Sequence, residues 1–131
     1  TRRMPGGRAN VNYTYYESGK SGYVAFFAGG GRVESERDAL ELVAACGESG
    51  TQNLLLPAEC LGDEFFRLGS GLAGAVFLKL GQYRIRCAVV LPLELASRGR
   101  FADLVLEANR RDPALHFFQD QEPAAAWLLE G

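Results

Sequence analysis

The residues whose types and spacing could do chemistry follow the third predicted strand. After Pro57, which ends a short apolar run, come Glu59, Cys60, Asp63 and Glu64. The carboxyl ends of parallel strands are where α/β sheets tend to bind ligands, and paired carboxylates can serve acid–base chemistry or bind a divalent cation. The alternative is a solvated loop in which carboxylates accept hydrogen bonds from backbone amides. We therefore treat Glu59, Cys60 and Asp63 as candidate ligand or partner contacts.

A second candidate site lies where a polar turn precedes an apolar helix. Ser70 and Gly71 stand directly before the run Leu72 to Gln82. Free backbone N–H groups and the helix dipole at such a position can hold an anion. The alternative is that Ser70 only caps its own helix. Ser70 and Gly71 are therefore the remaining candidate ligand or partner contacts.

Nucleophilic catalysis with a histidine base is not indicated. The chain has a single histidine, His116, and it lies within an apolar strand, where a structural role is expected. Cys60 would need a base beside it to act as a nucleophile. We therefore assign no catalytic residue, and we expect neither a metal nor a cofactor.

The elements that must position these residues alternate along the chain. Turn and β-branched patterns predict a hairpin at 11–17 and 23–28, then apolar strands at 53–56, 84–91 and 114–118. Helical spacing predicts helices at 36–47, 71–82, 101–109 and 122–129. The prediction is a two-layer α/β fold, in which a β-hairpin is followed by α-β-α-β-α-β-α with a mostly parallel sheet. Residues 1–10 are predicted to be a flexible tail, and residues 11–131 a single domain.

Composition narrows the classes of protein further. The 131 residues are 47% apolar and 23% charged, with a net charge of −2, which does not suggest a nucleic-acid surface. No apolar run is long enough to span a bilayer. The three cysteines, at 46, 60 and 87, lack zinc or redox spacing, and no signal-peptide pattern is present. We therefore expect a cytoplasmic protein that binds neither membrane nor nucleic acid.

Aromatic side chains are concentrated in the predicted hairpin. They are Tyr13, Tyr15, Tyr16, Tyr23, Phe26 and Phe27. If all helices cover one face of the sheet, part of this aromatic surface faces outward on the other, and such patches often mark partner surfaces. The alternative is that the rings pack in the core.

Several short motifs resemble an uncharacterised bacterial family, domain-of-unknown-function family 4180. The most specific is the phenylalanine pair Phe65-Phe66 followed by the run 70–74, and the resemblance extends over about 35–129. Other matching positions are Glu59-Cys60, Lys79, Tyr83, Phe101, Glu107-Ala-Asn109 and Phe117-Phe118.

The element order resembles that of the STAS domains, the anti-sigma-factor antagonist fold. In those domains a serine that follows an aspartate is phosphorylated and governs partner binding. The resemblance places Leu68 at the aspartate and Gly69 at the phosphorylated serine, and Ser70 matches the second hydroxyl residue. It implies a non-enzymatic regulatory or protein-interaction module that lacks the phosphoswitch and docks a partner protein or a second copy. The alternative is a small-ligand or anion-binding domain with its site at the start of the second helix.

Overall fold

The computed structural model describes residues 2–8, 11–27 and 32–130. Within them, six strands form one sheet, whose spatial order follows the chain. The strands are β1 Arg2–Arg8, β2 Val11–Ser18, β3 Ser21–Phe26, β4 Asn53–Pro57, β5 Arg86–Val90 and β6 Leu115–Phe118.

The sheet is mixed. The pairings β1–β2 and β2–β3 are antiparallel, whereas β3, β4, β5 and β6 pair in parallel. The predicted α/β class and the predicted hairpin are confirmed, the hairpin being β2 and β3. Because β3 to β6 run parallel, their carboxyl ends lie along the same side of the sheet.

Helices fill the connections between the parallel strands, and one more helix follows β6. The helices are α1 Glu36–Ser49, α2 Leu72–Gln82, α3 Leu93–Ala96, α4 Gly99–Arg111 and α5 Gln121–Glu130. No helix in the described ranges has both the length and the apolarity needed to cross a membrane.

The predicted tail at the N-terminus is corrected by the structure. Residues 2–8 form β1 and pair with β2 along their whole length. Gly6 stands opposite Tyr13, and a Cβ added at Gly6 would lie 2.5 Å from that tyrosine ring. Gly6 therefore leaves room for the buried side chain of Tyr13 within a regular strand pairing.

The prediction of two layers is also corrected, because helices lie on both faces of the sheet. The larger core joins α1, α2 and α4 to one face, which includes Val24, Leu54 and Val89. On the opposite face, α5 buries Ala124 and Leu128 in a second core. The three leucines at 54–56 are all buried, so β4 is covered on both sides. The fold therefore has three layers, with one helix forming the third.

One residue of an outermost strand is hydrogen-bonded by a side chain. The Phe117 N–H donates to Oδ1 of Asn109 at 2.7 Å, and Nδ2 of Asn109 donates to the Phe117 carbonyl at 3.3 Å. The helix was predicted to end at 109, but α4 continues to Arg111, so Asn109 lies within it. Its amide instead satisfies both backbone groups of one residue of β6, as a neighbouring strand would.

Candidate functional site

A cleft of about 690 Å³ opens at the carboxyl ends of the parallel strands. Its walls come from three successive strand–helix connections, those that follow β3, β4 and β5. This is the part of an open α/β sheet where ligands commonly bind. The lining residues are Arg32, Ala58, Glu59, Leu61, Asp63, Phe66, Arg67, Leu95 and Arg98.

Each of the three connections contributes one arginine. Arg32 lies between β3 and α1, Arg67 between β4 and α2, and Arg98 between α3 and α4. All three are exposed, and none forms an ion pair or a side-chain hydrogen bond with any residue in the described ranges. Guanidinium groups without internal partners can donate to an incoming anion, which makes the cleft a candidate anion site.

The long connection after β4 is anchored at two points. Leu61 bridges to Val33, and the Val33 N–H donates to the Cys60 carbonyl at 2.7 Å. The connection continues through short 3₁₀ turns, and in the second of them Phe65 is fully buried. Asp63 and Arg67, which line the cleft, flank this buried ring. The core side chain therefore fixes the segment that presents them.

Ser70 has a positioning role rather than a place in the cleft. Its hydroxyl lies within hydrogen-bonding distance of two carbonyls, those of Arg67 at 2.8 Å and Glu64 at 2.9 Å, and it accepts a bond from the Leu72 N–H at 3.3 Å. The N-cap of α2 is Gly71, with a left-handed φ of 78°, rather than Ser70 as predicted. Ser70 thus ties the 3₁₀ turns to the start of α2. Neither Ser70 nor Gly71 is among the residues that line the cleft.

Of the residues predicted to form the site, the structure brings Glu59 and Asp63 together in the cleft. Cys60 points away, since its side chain is buried and its thiol donates to the Phe27 carbonyl at 3.2 Å. Burial, with a smaller contribution from the charge of Glu59, raises the pKa of Cys60 to about 11. A thiol that keeps its proton at neutral pH is a poor nucleophile, so Cys60 is a core residue.

The other two cysteines are buried in the same way. Burial raises the pKa of Cys46 to about 12. Burial, with a smaller contribution from Cys46, also raises the pKa of Cys87. All three thiols are free. Cys46 and Cys87 therefore act as small apolar side chains in the larger core.

The aromatic side chains of the hairpin are mostly covered. Tyr13, Tyr23 and Phe26 are buried, whereas Phe27 is 43% exposed. The hairpin thus offers less aromatic surface than the sequence suggested.

The single histidine lies on the α5 side of the sheet. His116 is half-buried there, and its ring contacts Phe118 and Trp127. Desolvation lowers the pKa of His116.

The three arginines of the cleft were missed by the sequence analysis, which weighed carboxylates, cysteine and serine. A signal was present, because each arginine lies in a segment that follows a predicted strand. Their convergence depends on sequential parallel strand order, which brings these segments to one edge. No group of three or more metal-ligating side chains that could hold an ion occurs in the described part of the chain.

The fold and the cleft together define an α/β domain with a candidate ligand site at the carboxyl ends of its parallel strands. A family model described as a domain of unknown function (DUF4180) matches residues 18–128. The chain therefore belongs to the DUF4180 family, as the motifs around Phe65-Phe66 suggested. Comparisons with curated proteins and with solved structures gave no match.

Proposed function

We propose that this chain is a ligand-binding domain that holds an anion in the cleft between its strand–helix connections. The observation that carries the proposal is that Arg32, Arg67 and Arg98 line one cleft, each from a different connection, without internal partners in the described residues. Unpaired guanidinium groups are the side chains best suited to phosphate and carboxylate groups. The site differs from the predicted one, which was centred on the start of the second helix.

The cleft also contains unpaired carboxylates. Glu59 and Asp63 line it together with the arginines, and neither carboxylate pairs with an arginine in the described residues. Both signs of charge in the cleft are therefore available to a ligand.

The test is a thermal melt in the presence of inorganic pyrophosphate, with sodium chloride at equal ionic strength as the control. A ligand at a hundred times its dissociation constant adds about 2.7 kcal/mol to the free energy of unfolding, so the melting temperature should rise. The double variant Arg67→Ala/Arg98→Ala should lose the rise, and Arg110→Ala, in α4 outside the cleft, should keep it. A rise that survives in the double variant would refute the cleft as the site.

A second candidate function is a STAS-like regulatory module that lacks the phosphorylatable serine and docks a protein partner. It is supported by the alternation of strands and helices and by an apolar groove of about 500 Å³ beside β6. Two leucines of this groove, Leu93 and Leu106, are 58% and 69% exposed. When the partner is a second copy of the chain, light scattering should show an assembly that Leu106→Asp disperses. A strict monomer that captures no protein partner would count against this function.

A further inference from the structure

The cleft carries a second chemical feature that narrows the class of ligand, given the anion-binding function proposed above. Glu59 and Asp63 line it together with the arginines, and their side chains make no hydrogen bond within the described residues. An ionised carboxylate only accepts hydrogen bonds. A ligand that is anionic throughout can bind the arginines, but these two carboxylates weaken its binding and accept no hydrogen bond from it. The ligand must therefore bring donors, such as hydroxyl groups, to the carboxylates.

The cleft also has an apolar wall. Phe66 and Leu95 are half-buried, and both line it. The Phe66 ring is held by edge-on contacts with Phe65 at 5.8 Å and with Phe101 at 5.2 Å between centroids. A fixed, half-exposed ring offers a flat surface on which the carbon face of a ligand ring can rest.

Size and charge point to a small organic phosphate. The volume of about 690 Å³ falls within the range of roughly 300–1,000 Å³ typical of small-molecule sites, and it exceeds what a bare phosphate ion fills. A phosphate monoester carries about −1.5 to −2 charges at neutral pH and three acceptor oxygens, which suits several guanidinium donors.

We propose that the cleft binds a hydroxylated organic phosphate of the sugar-phosphate class. Arg32, Arg67 and Arg98 hold the phosphoryl group, the carboxylates of Glu59 and Asp63 accept from the hydroxyl groups, and Phe66 supports the ring. This assignment predicts that the cleft binds the sugar phosphate more tightly than inorganic phosphate, because only the sugar phosphate has hydroxyl groups that donate to the two carboxylates.

The experiment is calorimetric titration of the full chain with ribose 5-phosphate, inorganic phosphate and ribose. Ribose 5-phosphate should bind at least about tenfold more tightly than inorganic phosphate, and ribose more weakly than either. In Glu59→Ala/Asp63→Ala this preference should disappear, while inorganic phosphate binds as well as before or better, because two negative charges are gone. The control, Glu130→Ala in α5 on the opposite face of the sheet, should keep the preference.

The outcomes separate this inference from the proposed function. Equal affinity for ribose 5-phosphate and inorganic phosphate in the unmodified chain would overturn the inference and leave anion binding intact. A phosphoserine peptide that binds more tightly than ribose 5-phosphate would overturn it in favour of a macromolecular ligand. If none of pyrophosphate, inorganic phosphate and ribose 5-phosphate binds, the proposed function fails, and the inference fails with it. A preference that survives Glu59→Ala/Asp63→Ala would remove the assigned role of the carboxylates.

Discussion

Phe65→Ala should lower the free energy of unfolding by about 4 kcal/mol, the largest single effect that we expect in this chain. Phe65 is fully buried, and its ring centroid lies 5.4 Å from Phe77, 5.8 Å from Phe66 and 6.3 Å from Phe101. Removing the ring leaves a cavity in a packed aromatic cluster, and it also forfeits edge-on contacts between rings. The urea midpoint, at an unchanged slope, measures the loss.

The same substitution should reach the cleft. Phe65 lies between Asp63 and Arg67, so a loosened 3₁₀ turn displaces side chains that line the ligand site. We expect Phe65→Ala to bind pyrophosphate more weakly even under conditions in which it remains folded. Leu78→Ala, at a side chain that is 66% exposed, is the control and should change stability by less than about 0.5 kcal/mol. A loss below about 1 kcal/mol for Phe65→Ala would contradict the packing described for this ring.

Arg86→Met should cost about 2 kcal/mol, by releasing the end of α5 from the sheet. From β5, Arg86 donates from Nη1 to the Leu128 carbonyl and from Nη2 to the Trp127 carbonyl, both at 3.2 Å. Its guanidinium carbon lies 4.2 Å from the centroid of the Trp127 ring. The last turn of α5 has no basic residue of its own, so Arg86 supplies the positive charge that a helix C-terminus favours.

The chain has one tryptophan, so fluorescence reports on this contact directly. In Arg86→Met the emission of Trp127 should move to longer wavelength at lower urea concentration than the far-ultraviolet circular dichroism changes. Arg86→Lys should recover only part of the loss, because an ammonium group lacks the planar fork that reaches both carbonyls. Superimposable unfolding curves for Arg86→Met and the unmodified chain would show that the contact does not stabilise α5.

Local patterns predicted most of the elements, since their signals lie within a few residues. The helix α1 begins at Glu36, as predicted, and Ser35 and Asp38 form a capping box at its start. The position of α5 could not be inferred in this way, because helical periodicity does not say which face of a sheet a helix covers. The uninterrupted leucines of β4 did carry that information, as they require cover on both sides. The strand β1 was missed because its glycine and arginine content resembles that of a tail.

The candidate site was recovered in part for similar reasons. Glu59 and Asp63 were found because the carboxyl end of a predicted strand is a local feature. Ser70 was overvalued, since its hydroxyl binds carbonyls of its own segment, which sequence spacing does not reveal. Arg32 and Arg98 are far apart in the chain and meet only through the strand order. Long-range convergence of this kind requires the tertiary structure.

The amide of Asn109 has a consequence for self-association. A strand from another molecule that added to β6 would first have to displace both hydrogen bonds between Asn109 and Phe117. Because α4 is anchored in the core through Val105 and Ala108, the amide is held where it blocks this addition. A side chain from a helix thus opposes fibril growth at this margin of the sheet, a safeguard that is independent of any ligand.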